Sequence, residues 1–154
     1  MRAVIQRVIS AKVTVGEELI SSIGRGICVL VGISRDDTDK DIEFIVRKLM
    51  NLRIFESEAQ KRWDRSTTDM NYEILCVSQF TLYSILKGNK LDFHLAMNPE
   101  QAPLFYEKFM DRLRSSYKAE LVKDGKFGAY MQVHIENDGP VTITIDSRKP
   151  SQSS

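Results

Sequence analysis

Hydrophobic and polar residues in this chain alternate in two rhythms. Arg2 to Ile9 and Lys12 to Gly16 follow the two-residue period of a half-buried strand, and Glu17-Glu18 forms the tip of a hairpin returning through Leu19 to Ile23. Gly24-Arg25-Gly26 turns into Ile27–Ile33, an apolar run broken only by Gly32, as expected of a central strand covered on both faces. The period then lengthens. Ile42, Ile45, Val46, Leu49 and Leu52 lie on one helical stripe, and Asp36, Asp37 and Thr38 offer capping oxygens before it. Arg53–Phe55 reads as a short strand. Glu56 to Asn71 is polar and without period, a surface excursion in which Trp63 is expected to act as a packing anchor.

Ile74 to Leu82 (I-L-C-V-S-Q-F-T-L) reads as a buried strand, but Ser78, Gln79 and Thr81 place hydrogen-bonding side chains where it should still be apolar. Buried polar groups cost free energy unless paired, so this cluster is either satisfied internally or kept for a ligand. Lys87-Gly88-Asn89-Lys90 is a turn carrying two cations. Asn98-Pro99-Glu100-Gln101 predicts a helix start, with Asn98 as cap and Pro99 in the first position, and Ala102, Phe105, Tyr106, Phe109, Leu113 and Tyr117 form its buried stripe. Asp124-Gly125 is a turn, Phe127 to Ile135 a strand, Asn137-Asp138-Gly139-Pro140 a second turn, and Val141, Ile143 and Ile145 alternate as the last strand. Two helices cannot cover both faces of two sheets. The expected fold is therefore a mixed α/β, mainly antiparallel two-sheet domain with its two principal helices on one outer face. Residues 1–146 form this domain, and 147–154 are expected to be a disordered tail.

At 154 residues the chain is long enough to bury its own core, and no apolar run approaches the length of a membrane span. Cys28 and Cys76 each sit inside an apolar strand, as reduced core residues of a cytoplasmic protein do. His94 and His134 have no ligand-spaced neighbours, so no metal is expected. The net charge of +1 gives no sign of a duplex-binding face, and Glu107–Lys126 has only six basic residues against four acids.

The chemistry is equally sparing. No G-x-S-x-G elbow surrounds Ser78, no cysteine has a histidine partner, and no glycine-rich phosphate loop is present. Yet S-Q-F-T-L at 78–82 and N-D-G-P-V-T at 137–142, with M-R-A-V-I-Q-R-V at the start, G-N-K-x-D-F-H-L-A at 88–96 and K-F-G-A-Y-M at 126–131, resemble the D-aminoacyl-tRNA deacylases, with Leu91 where that family usually has proline. The resemblance runs from Met1 to about Asp146. It implies hydrolysis of the ester of D-aminoacyl-tRNA and of glycyl-tRNA, as chiral proofreading of translation, with no cofactor, by a cytoplasmic homodimer. It implies that Ser78, Gln79, Phe80 and Thr81 form the catalytic pocket. Arg7, Phe127, Gly128, Tyr130, Met131, Gly139 and Pro140 would bind substrate, namely the 3′-terminal adenosine and the aminoacyl group. Gly139-Pro140 would be a cis peptide whose main chain excludes L-residues from the partner's pocket. A non-catalytic module binding duplex DNA on the same fold is the competing reading.

Overall fold

The computed structural model describes residues 1–149. Its strands are β1 (Arg2–Val15), β2 (Glu18–Ile23), β3 (Gly26–Gly32), β4 (Glu73–Ser78), β5 (Ile85–Lys87), β6 (Lys90–Asp92), β7 (Val122–Asp124) and β8 (Gln132–Asp146). The helices are α1 (Asp39–Asn51), the short α2 (Thr67–Met70) and α3 (Ala102–Ser116). Six strands form one sheet in the order β2-β1-β3-β4-β7, with β8 along the other edge of β1, and β5-β6 is a separate hairpin. Pairings are antiparallel except β3-β4 and β4-β7, which are parallel.

The two expected layers are two halves of this one sheet, which bends over on itself. Ile27, Val29 and Val31 of β3, with Ile74 and Cys76 of β4, face α1 and α3. The alternate residues Cys28, Leu75 and Val77 face a second apolar cluster built from Val8, Ala11 and Val13 of β1 and Ile23 of β2. The central strands are thus buried on both sides, which is why they read as continuous apolar runs. Burial leaves both thiols free and pushes Cys28 up to about 12. β1 serves both layers because irregularities near Arg7 and Ile9 reverse its inward face, from Ala3 and Ile5 to Val8, Ala11 and Val13. The Ser21 hydroxyl donates to the Asp124 carbonyl at 2.7 Å and draws the far edges together. At Gly26 an added Cβ would lie 1.8 Å from the Glu73 carbonyl oxygen, so only glycine lets β3 start this close to β4.

Several expected boundaries move. β1 is one strand of 14 residues, because continuous pairing with β8 spans the polar step at Ser10. Arg53–Phe55 is not a strand; it contributes a single bridge, Phe55 to Arg65, closing the loop between them. β4 ends at Ser78, and Phe80–Tyr83 coils into a 3₁₀ turn. α3 starts at Ala102 with Pro103 in its first turn; Asn98 instead caps the preceding turn, its side chain accepting from the Glu100 and Gln101 amides at 3.1 and 2.9 Å. Phe127–Met131 is a loop, and the last strand begins at Gln132. Ser147 and Arg148, expected in the tail, bind the fold: the Ser147 hydroxyl donates to Asp41 Oδ1 at 2.6 Å, and Arg148 Nε lies 3.1 Å from the same carboxylate. Residues 150–154 of that tail lie outside the described residues.

Asn137-Asp138-Gly139-Pro140 is the largest departure. It reverses nothing. β8 runs through it, pairing with β1 on both sides, Asn137 with Val8 and Thr142 with Gln6. Between these pairs β1 has only Arg7, whereas β8 has Asp138, Gly139, Pro140 and Val141. The surplus is extruded as a bulge with Gly139 and Pro140 exposed at its tip.

Candidate active site

At the C-terminal ends of the parallel β3 and β4 the chain leaves the sheet. The Gln79 amide donates to the Val31 carbonyl at 2.7 Å, and the 3₁₀ turn follows. A cavity of about 100 Å³ opens there, lined by Val31, Ile33, Ser78, Gln79, Phe80, Met97, Ala102, Phe127 and Gly128. None of these nine residues has an ionisable side chain. Its polar equipment is the Ser78 hydroxyl, the Gln79 amide and main-chain N–H groups. The amides of Phe80 and Thr81 lie in the first turn of a helical segment, where no earlier carbonyl of that segment can accept them. The Gln79 side-chain amide donates to the Thr81 hydroxyl oxygen, leaving the Thr81 proton free to donate.

Phe80 and Phe127 supply the aromatic surfaces. Phe80 is 58% exposed and stands edge-on to Phe93, with centroids 5.1 Å apart. Phe127 is 40% exposed and rests on Tyr106 at 5.4 Å. Tyr106 is buried and its hydroxyl donates to Asp124 Oδ1 at 2.7 Å; burial pushes both the Asp124 carboxyl and the Tyr106 hydroxyl upward. The Gly125 amide donates to the Cys76 carbonyl at 3.0 Å, so the Phe127 loop is fastened to β4 at its root.

The sequence candidates therefore divide into groups. Ser78, Gln79, Phe80, Phe127 and Gly128 line one cavity, with Thr81 beside it. Tyr130 is 88% exposed and projects away from packed surfaces. Met131 packs into the second apolar cluster, its sulfur accepting from the Lys126 amide at 3.4 Å. Arg7, Gly139 and Pro140 lie together elsewhere. They line a cavity of about 420 Å³ with Glu56, Arg62, Trp63 and Val141, and share no residue with the first. Arg7 pairs with Ile27 at the start of β3 and the first cavity begins at Val31, about 13 Å along the strand at ~3.3 Å per residue.

The bulge is held from beneath and at its base. Arg7 Nε donates to the Asp138 carbonyl at 3.1 Å and Nη1 to the Ile54 carbonyl at 2.7 Å, and the guanidinium also lies 3.6 Å from the Asp138 carboxylate. Asn137 clips the base, its Oδ1 accepting from the Val141 amide and its Nδ2 donating to the Thr142 hydroxyl, both at 2.9 Å. The Gly139-Pro140 peptide is cis, and Gly139 has φ +131°, where L side chains are strained. A Cβ there would stand 2.9 Å from Val141 Cγ2 and 3.1 Å from Arg7 Nη2.

Sequence reasoning missed Met97 and Ala102 in the first cavity, and it misjudged Trp63. Expected to be a packing anchor for its loop, that residue is 56% exposed beside the bulge, with the Arg7 guanidinium 5.9 Å from its ring centroid. Its place beside the bulge is a long-range one that the loop's own sequence does not indicate.

Comparison with known proteins identifies the family. A family model described as D-Tyr-tRNA(Tyr) deacylase matches residues 4–146. D-aminoacyl-tRNA deacylase 1 of Bos taurus is 65% identical over 150 residues, 97% of this chain and 72% of the relative. D-aminoacyl-tRNA deacylase of Drosophila melanogaster is 65% identical over 147 residues, 96% of this chain and 92% of the relative. A solved structure named c-Myc DNA Unwinding Element Binding Protein superposes with a TM-score of 0.92 at 65% identity, covering 95% of this chain and 98% of its own. The chain therefore belongs to the D-Tyr-tRNA(Tyr) deacylase family and is a hydrolase of that class.

Proposed function

We propose that this enzyme hydrolyses the ester linking a D-amino acid, or glycine, to the terminal ribose of tRNA, releasing free amino acid and tRNA, and spares L-aminoacyl-tRNA. The observation that carries the mechanism is a cavity lined by Ser78, Gln79 and Phe80, with Thr81 beside it, that has no ionisable side chain in its lining. A hydrolase with no acid or base of its own needs a substrate that brings one. The 2′-hydroxyl of the terminal ribose lies next to the ester carbonyl, and such proximity replaces much of what a catalytic side chain supplies. Water adds to the carbonyl carbon, the bond to the ribose 3′-oxygen breaks, and that oxygen takes the proton through the 2′-hydroxyl. The Phe80 and Thr81 amides and the Ser78 and Thr81 hydroxyls donate to the oxyanion. The terminal adenine stacks on Phe127 beside Gly128.

Gly139 and Pro140 act as a steric wall. They stand too far from the first cavity of their own chain to close it, so the bulge serves the cavity of a second copy in a two-fold homodimer. The outer edge of β8, without a strand partner among the described residues, is consistent with a neighbour there. A main-chain wall cannot swing aside as a side chain would. It turns away any L side chain, admits D-residues whatever their side chain, and cannot exclude glycine. Two buried free thiols fit the reducing cytoplasm, where charged tRNA is used.

The test is release of amino acid from D-tyrosyl-, glycyl- and L-tyrosyl-tRNA by purified protein. The first two are expected to clear and the third to survive. Glycyl-tRNA persisting where D-tyrosyl-tRNA is cleared would mean the site grips side chains instead of excluding them. The solved relative named for a DNA element favours a second reading, nucleic-acid binding without turnover, and a protein inert towards D-tyrosyl-tRNA would leave that reading standing.

A further inference from the structure

Trp63 has no part in the mechanism above, yet its placement is unusual for its type. It is the only tryptophan of the chain, 56% exposed, and it holds φ +55°, a conformation bulky residues rarely adopt. The surrounding loop holds it there. The Ser57 amide donates to the Lys61 carbonyl at 2.9 Å, the Lys61 amide to the Ser57 hydroxyl at 3.1 Å, and Phe55 bridges to Arg65. A side chain kept outside the core by its own loop is a platform in want of a ligand.

The platform has a matching cation and a space. Lys61 and Arg65 both pair with Asp64 at 3.5 Å, whereas Arg62 between them makes no ion pair among the described residues. The cavity of about 420 Å³ has the Trp63 indole on one side and the Gly139–Val141 main chain on the other, with Arg62, Arg7 and Glu56 around it. An aromatic face beside a free guanidinium is the equipment that binds unpaired nucleotides, by stacking the base and neutralising its phosphate.

We propose that this cavity takes an unpaired base of the tRNA acceptor end, stacked on Trp63 with Arg62 at its phosphate, while the terminal adenosine occupies the partner's first cavity. The proposal rests on the wall serving a second copy. With the bulge at the mouth of the partner's cavity, Trp63 stands where the nucleotides preceding the adenosine must pass. Stacking on an aromatic face is indifferent to sequence, as a site serving many tRNAs requires.

Because Trp63 is the sole tryptophan, its emission reports on the site directly. Titration with the ribotrinucleotide CCA should quench it saturably, adenosine alone should not, and Arg62→Gln should weaken the CCA response several-fold. In turnover, Trp63→Ala should lower kcat/KM on D-tyrosyl-tRNA about tenfold more than on the 3′-ester of D-tyrosine with adenosine, and Trp63→Phe should recover most of the difference. Unchanged emission with CCA, equal quenching by adenosine, or equal losses on the two substrates would overturn the proposal; the last would make Trp63 a prop for the bulge. Failure of the unsubstituted protein to cleave D-tyrosyl-tRNA would instead strike the deacylase reading itself.

Discussion

At the scale of single residues, the proposed mechanism relies on hydrogen bonds and steric exclusion. Ser78 and Thr81 have no base within the cavity to activate them, so on this proposal each is a donor and not a nucleophile. Ser78→Ala or Thr81→Ala should slow D-tyrosyl-tRNA hydrolysis about 12- to 160-fold, the worth of one hydrogen bond to a charged acceptor at ~1.5–3 kcal/mol. Substrate ending in 2′-deoxyadenosine should lose more than about a thousandfold. Single-turnover rates check both, and an aminoacyl-enzyme trapped on either residue would refute the assignment. Gly139 is the residue at which specificity should break. A Cβ there collides with Arg7 and Val141 in a conformation costing about 1–3 kcal/mol. Gly139→Ala should therefore shrink the ratio of D- to L-tyrosyl-tRNA rates, or abolish activity. Full activity with an unchanged ratio would show that the bulge does not discriminate.

At the scale of elements, the start of α1 carries the clearest pH dependence. Burial pushes the Asp41 carboxyl up, but the Ser147 hydroxyl and the Thr38 amide donate to it and outweigh burial, with Arg148 adding to their effect, so it titrates below its ordinary 3.8. A lowered folded pKa stabilises above the unfolded value, and the contribution fades as pH falls through the folded one. Asp41→Asn should cost about 1 kcal/mol near neutral pH and progressively less below pH ~4, read from Tm against pH. The elements also show where sequence patterns suffice. Two-residue alternation located β1, which buries one face at a time; a continuous apolar run located β3, which is buried on both; and the 3.6-residue stripe located α1. Asn98-Pro99 misled because Pro103 offers a second helix start four residues on, and local propensity cannot rank the two. Gly139-Pro140 misled for a related reason: a strand that bulges and a strand that reverses break alternation alike. Only the length of β1, long enough to pair on both sides, decides between them.

At the scale of the whole molecule, the polar end of β4 and the bulge of β8 lie at opposite ends of β3. Polar residues interrupting an apolar strand marked S-Q-F-T as unusual, and the family resemblance made it a candidate site. Arg62 and Trp63 were not legible, since nothing within their polar loop indicates that it folds against β8. If the bulge serves a second copy, as proposed, the catalytic unit works only as a pair. Light scattering at micromolar protein should return the dimer mass, and dilution to monomer should cost activity and chiral selection together. Active monomers that still discriminate would rule out the shared site.

The bulge opposite Arg7 has a consequence for how such an enzyme can change. Four residues of β8 stand where β1 offers one, between the pairs Gln6–Thr142 and Val8–Asn137. Excising three of the four restores one-to-one pairing and keeps every flanking side chain on its present face, since register in a strand counts in twos. The proposed stereochemical filter is in this sense an insertion, and the strand that carries it should fold without it. A chain lacking Asp138, Gly139 and Pro140 should keep its sheet, with circular dichroism and Tm close to those of the parent, yet lose the ability to tell one hand of amino acid from the other. Stringency in this scaffold can be gained, retuned or shed without redrawing the architecture that bears it.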